Sequence, residues 1–191
     1  MGSASRKGRG ATDAVALTGT PGTGKSAVAA ALGRRWRSVE VAELARRHHA
    51  ARGRPGHVEV DLARLRRRLR ASSALADVDV VVGHLAHLLP IRDVVVLRCH
   101  PLELEDRLLR AHRGPAADRR ENALAEATDV VLFETVRPGR RIWEVDTTGR
   151  SVASVAREVG RRLRSRGRSS YGNVDWLSDP NVTAHLLDRP G

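Results

Sequence analysis

The sequence predicts an α/β domain, a five-stranded parallel sheet flanked by helices, and three observations predict it. Short apolar runs alternate with helical stretches along most of the 191 residues. Two of those runs, Val78–Val82 (VDVVV) and Val94–Arg98 (VVVLR), are nearly continuous in apolar residues, as strands buried on both faces are. The first run, Ala14–Thr18 (AVALT), feeds a glycine-rich turn and then an Ala-rich helix.

In chain order, residues 1–12 are small, polar and basic and read as a flexible tail. Ala14–Thr18 is the first strand. Lys25 to Trp36 forms a helix, with Val28, Leu32 and Trp36 spaced for one face. Ser38–Val41 is a second short strand. Glu43 to Ala51 reads as helical and stops at the breaker Gly53-Arg54-Pro55-Gly56. Asp61 to Leu75 is a strongly basic helix with Leu62, Leu65, Leu69 and Ala76 along one side. After the strands Val78–Val82 and Val94–Arg98, Pro101 suits the first turn of a helix that runs to about His112 and is broken by Gly114-Pro115. Residues 119–136 read as one helix, with Leu124, Ala127 and Val131 on one face. Ile142–Val145 supplies the last strand, and Ser151 to Arg164 a helix with Val152, Val155, Val159 and Leu163 inward. Residues 13–165 thus form the domain, and 166–191 are an Arg/Ser-rich linker and irregular tail outside the core.

Composition narrows the function classes. The 34 basic residues face 22 acidic ones, for a net charge of +12, which predicts polyanionic partners: nucleotides, RNA or ribosomal surfaces. Apolar runs of about five residues exclude a membrane-spanning helix. The basic N-terminus has no apolar segment after it and does not read as a secretory signal. The single cysteine, Cys99, cannot form an internal disulfide and reads as inert core, so a cytoplasmic setting is expected.

Residues 19–26, GTPGTGKS, match G-x-x-x-x-G-K-[ST] at Gly19, Gly24, Lys25 and Ser26, a P-loop. Its glycines let backbone N–H groups approach phosphate oxygens, and the following helix turns its positive end toward them. Only Lys7 and Lys25 are Lys; every other basic side chain is Arg. Arg is planar and forked, whereas Lys is a narrow point charge that can thread a closed loop, so Lys25 reads as demanded by the site. Lys25 would meet the β- and γ-phosphates of ATP, and the Ser26 hydroxyl would ligate Mg²⁺. No Asn-Lys-x-Asp stretch is present to read guanine, and the chain is too short for a large ATPase with sensor regions. A nucleoside-monophosphate-kinase-like P-loop NTPase fits its size. Arg98, Arg107, Arg110 and Arg113 are expected near the sheet's C-terminal edge, where open α/β sheets bind ligands and phosphoryl transfer needs positive charge. His48, His49 and His57 have no cysteine or carboxylate cluster to complete a metal site, and of His84 and His87 one is expected to pack locally.

Several stretches in order resemble one family, adenylate kinase isoenzyme 6, a small nuclear or archaeal kinase/ATPase linked to ribosome assembly. They are GTPGTGKS, VAELARR (Val41–Arg47), GHLAHLLP (Gly83–Pro90), VVVLRCHP (Val94–Pro101), Asp106–Leu108, Arg113–Gly114, Glu121–Asn122, EVDTTGRS (Glu144–Ser151) and GNVDWL (Gly172–Leu177), together covering about residues 14–177. The resemblance implies a P-loop kinase core with a short NMP-binding segment, about 38–60, and a lid, about 112–122. It implies ATP:AMP phosphotransfer with weaker ATPase activity. It also implies partnership with a small-subunit platform ribosomal protein (universal small-subunit protein eleven), and with rRNA, during maturation. Alternatively the chain is a nucleotide-gated ribosome-assembly factor with little kinase activity. Carried over by position, Gly19, Gly22, Thr23, Gly24, Lys25, Ser26 and Ala27 hold ATP phosphates. Arg46 meets the acceptor's phosphate, with Arg98 and Arg107 as further substrate contacts. Arg113 is the lid contact, with Arg110 competing for that role, and His84 is the motif His near the transferring phosphate. The sequence departs from the family at Val82, where an acidic residue usually supports the Mg²⁺ hydration shell. Asp79 is out of phase with that position, so Mg²⁺ is expected to depend on Ser26, ATP oxygens and water alone.

Overall fold

A computed structural model describes residues 14–54, 57–71 and 74–188. The expected tail 1–12, the Pro55-Gly56 breaker, residues 72–73 of the basic helix, the His57 side chain and the last three residues of the 166–191 segment lie outside them. The elements follow in order as β1 (Val15–Thr18), α1 (Lys25–Leu32), β2 (Ser38–Glu40), α2 (Val41–Arg47), β3 (Ala51–Arg54), β4 (His57–Val60), α3 (Leu62–Ala71), β5 (Val80–Val82), β6 (Asp93–Arg98), α4 (Pro101–Arg110), α5 (Ala116–Ala127), α6 (Val130–Thr135), β7 (Arg141–Asp146), α7 (Val152–Arg164) and α8 (Pro180–Leu187).

The five expected strands pair in parallel in the order β2-β5-β1-β6-β7. Strand β1 is central. The chain runs from β1 to the edge strand β2, comes back to fill the gap with β5, and then crosses to the other side of β1 for β6 and β7, so the strand order changes direction at β1 and a ligand crevice is expected at its C-terminal end. Alternate residues of each strand feed opposite faces. Val94 and Val96 join Leu44, Leu65, Leu69 and Leu132 on the face covered by α2, α3 and α6. Val95 and Leu97 join Val28, Val155, Val159 and Leu163 on the face covered by α1 and α7. This double covering explains the unbroken apolar runs. Helix α4 starts on Pro101 and α7 on Ser151, whose hydroxyl accepts the Ser154 N–H at 3.2 Å.

The structure corrects the sequence reading of the elements in three places. The stretch expected as one helix over 119–136 is two, α5 and α6, because Asp129 takes a left-handed conformation at φ 58° between them. The helix expected over Glu43–Ala51 starts earlier and ends at Arg47; His49 at φ 53° turns the chain into β3, which pairs antiparallel with β4. That hairpin carries polar sequences, ARGR and HVEV, without a continuous apolar signal. Finally, the segment after 165 is not irregular throughout. Ser170 forms a parallel bridge to Trp143, and α8 is capped by Asp179, which accepts the Asn181 N–H at 2.8 Å. Among the described residues no helix is long and apolar enough to cross a membrane.

Candidate active site

The loop between β1 and α1 is shaped by three glycines at positive φ. A Cβ on Gly19 would run into the Leu97 carbonyl oxygen and the Thr23 hydroxyl, and one on Gly22 would press on Leu104 and Leu108. Gly24, at φ 91°, sits at the N-cap of α1, whose first turn carries no acidic side chain to compete for an anion. The loop is braced from inside. Thr23 turns its hydroxyl inward to the Thr20 carbonyl at 2.9 Å, and the Thr20 hydroxyl donates to Glu126 at 2.5 Å. Lys25 curls over the loop, its Nζ donating to the carbonyls of Gly19 at 2.8 Å and Thr20 at 2.9 Å. Burial pushes the Lys25 ammonium down to about 8, against the opposing pull of Glu126 and Glu40, while the positive charge of Arg113 acts with burial.

Lys25 opens into a cleft of about 350 Å³ shared with Ser26, Ala27, Glu40, His84, Arg107 and Arg113. Ser26, on the first turn of α1, donates its hydroxyl to Glu40 Oε1 at 2.9 Å. Glu40 ends β2, in register with Val82 on β5. His84 lies exposed just after β5, and desolvation together with the charge of Lys25 lowers its pKa, which keeps the imidazole neutral near pH 7. Arg113 follows the α4 C-terminus on a turn formed by His112 at φ 49° and Gly114 at φ 70°. Its side chain is exposed and makes no ion pair among the described residues. A second cleft, about 370 Å³, adjoins the loop's other flank and is lined by Gly22, Thr23, Arg107, Arg110, Thr147 and Arg150 among others. Arg107 stands between the two, held by Glu103 at 2.6 Å and by the Thr147 carbonyl at 2.8 Å. Arg110 is tied back to Asp106 and faces only the second cleft.

Other candidates fall elsewhere. The expectation that Arg98 contacts substrate is corrected: it is 1% exposed and caged by carboxylates. It donates to Glu126 at 2.7 Å and Glu144 at 2.6 Å and also pairs with Asp129. Burial disfavours its charge, but Glu126 and Asp129 outweigh that and raise its pKa. Arg46 stands apart from the P-loop cleft, in a pocket with His49, Arg52 and Arg64 beside the β3–β4 hairpin. His87 is the locally packed histidine, its Nδ1 2.9 Å from the Thr18 hydroxyl and its Nε2 2.9 Å from Glu134. Asp79 lies at the opposite end of β5, accepting the Arg37 N–H at 2.9 Å. Cys99 is buried and its thiol pushed up to about 12, so it offers no nucleophile. A groove of about 680 Å³ between α1 and α7 shares no residue with the loop.

Two residues at the centre of this geometry escaped sequence reasoning. Glu126, in the Ala-rich last turn of α5, carries no local signal for holding Thr20 and Arg98 together. Glu40 reads as an ordinary strand-end residue until the strand order sets β2 beside β5.

The arrangement gathers cationic side chains and a glycine-rich loop around one cleft, with hard oxygen donors at one end, and could cradle a polyphosphate. Residues 15–129 match the AAA domain family. A protein named "Putative adenylate kinase" from Thermococcus onnurineus is 35% identical over 175 residues, spanning 91% of this chain and 96% of its own. An Archaeoglobus fulgidus protein of the same name is 36% identical over 171 residues, spanning 86% and 92%. Among solved structures, an uncharacterized protein from Eubacterium ventriosum shares the fold at a TM-score of 0.53 and 11% identity, over 81% of this chain and 99% of that one.

Proposed function

The chain belongs to the family of these archaeal relatives, the one its motifs resemble, and on that premise we propose that it is an ATP:AMP phosphotransferase with weak ATPase activity. The observation that carries the reading is Lys25, a narrow cation at the mouth of a glycine cradle in a cleft that also collects Ser26, His84, Arg107 and Arg113. ATP would lay its phosphates along Gly19, Gly22, Gly24 and the backbone of Thr23 and Ala27. The loop N–H groups and the α1 N-terminus orient them. The second cleft, beside Thr147 and Arg150, suits the adenosine end. The Ser26 hydroxyl and Glu40 carboxylate are hard oxygen donors that fit Mg²⁺, which when bound offsets charge on the β- and γ-oxygens.

In the transfer, an AMP phosphate oxygen forms a bond to Pγ as the bond from Pγ to the β–γ bridging oxygen breaks. Lys25 and Arg113 then hold charge on the equatorial oxygens while the neutral His84 orients the phosphate or its water. Arg113 lines the same cleft as Lys25 and Ser26, which favours it over Arg110 as the lid contact. Arg46, with Arg52 and Arg64 in its pocket, suits the acceptor's phosphate once the α2 and hairpin segment closes on the cleft.

A second reading is a nucleotide-gated factor bound to a small-subunit ribosomal protein or rRNA. It is favoured by the net charge of +12 and the outward arginines Arg67 and Arg70 of α3. A coupled assay with ATP and each nucleoside monophosphate separates the two. Phosphorylation of AMP ahead of the other acceptors supports the kinase. Lys25-dependent ATP binding with no acceptor phosphorylated supports the second reading.

A further inference from the structure

We propose that Glu40, on the edge strand β2, is the carboxylate that holds the Mg²⁺ hydration shell beside Ser26, a task β5 does not perform in this chain. The proposal rests on the ATP-binding reading above and assigns its metal site. P-loop enzymes hold their magnesium with the loop hydroxyl and a carboxylate presented at a strand end. Here β5, the strand beside β1, is Val80, Val81 and Val82, all buried. The acidic residue next to it, Asp79, sits at the other end of the strand and is committed to Arg37.

Glu40 occupies the missing place from one strand further out. It is in register with Val82, so the two lie side by side across a spacing of about 4.8 Å and share a face of the sheet. Val82 packs with Val28 and Ala29 of α1, which identifies that face as the one carrying the loop helix. The Glu40 side chain accordingly reaches Ser26, accepting its hydroxyl hydrogen at 2.9 Å. Glu40 also lines the cleft that Lys25, Ser26 and His84 share. The Ser26 oxygen can bind a cation through a lone pair while its hydrogen stays on Glu40. An exposed carboxylate beside it leaves room for the waters that magnesium keeps. Glutamate suits this role from β2, because its side chain must cross from the edge strand to the loop.

The test uses the full chain, the imido analogue of ATP and Mn²⁺ as a paramagnetic substitute, with free Mn²⁺ followed by electron paramagnetic resonance. Glu40→Gln is isosteric and exposed, and circular dichroism checks its fold. The expected result is Mn²⁺ affinity weakened by about tenfold or more in the protein–analogue complex, with metal-free analogue affinity within about twofold of wild type. Ser26→Ala should weaken Mn²⁺ similarly, and the double variant should lose less than the product of the two single losses, since the side chains serve one site. Wild-type Mn²⁺ affinity in Glu40→Gln, with the analogue still bound, overturns the assignment and leaves the ATP reading standing. No analogue binding to the wild type overturns both.

Discussion

Two charged clusters stand at the C-terminal ends of the same sheet, and they are built on opposite plans. Around Arg98, at the end of β6, Glu126, Asp129 and Glu144 surround one buried guanidinium, and two of those carboxylates are themselves buried. Around Lys25, beyond β1, the cation rests on carbonyl oxygens, its ammonium is depressed to about 8, and Ser26, His84 and Arg113 open to solvent. The first cluster is saturated by its own side chains and can only hold structure. The second is left short of negative charge, and on the proposed function that deficit is what the phosphates of ATP would supply. Glu126 joins them: one oxygen serves Arg98 and the other the Thr20 hydroxyl, so the closed cluster fixes the shape of the open one.

Breaking the closed cluster has the largest expected effect. Arg98→Met strands Glu126 and Glu144 as buried, unpaired carboxylates and should destabilise the fold by about 3–5 kcal/mol, read as a lower midpoint in urea unfolding. A loss under about 1 kcal/mol would mean the cage is not what holds α5 to the sheet. Within the open cluster the effects are kinetic. Arg113→Ala should lower kcat by about tenfold or more with unfolding unchanged. Arg110→Ala should stay within about twofold in steady-state assays, since that side chain is exposed and tied to Asp106. Equal losses in the two variants would remove the distinction drawn between the clefts.

The two clusters also differ in how far the sequence disclosed them. The strands, their parallel pairing and the loop were legible because each has a local cause: apolar runs for doubly covered strands, glycines for positive φ, a lone Lys for a narrow passage. Arg98 was misjudged because position at a strand end cannot tell whether carboxylates 28 and 46 residues away will close over it. Glu40 was overlooked for a related reason. The gap at Val82 was visible in the sequence, but its filler comes from a neighbouring strand, and strand order is not written in local pattern. The α5–α6 break at Asp129 and the β3–β4 hairpin were missed because polar segments carry weak periodicity and owe their conformation to what they pack against.

The contrast turns on Lys25, and its protonation offers the most direct test. In the ligand-free protein its ammonium loses its proton near pH 8 instead of the ordinary 10.5, because burial disfavours the charge. The folded chain therefore binds fewer protons than the unfolded one between those values, and Lys25 contributes stability that grows as pH rises through that window. A bound triphosphate needs the charged form, so ATP binding above pH 8 must take up a proton. Calorimetric titration of ATP from pH 6.5 to 9.5, roughly spanning that transition, should find affinity flat below about 8 and falling above it, with proton uptake. Lys25→Met should bind about 100-fold more weakly and lose that pH dependence. A Lys25→Met variant that binds ATP within about threefold of wild type, on the same pH profile, would contradict the account.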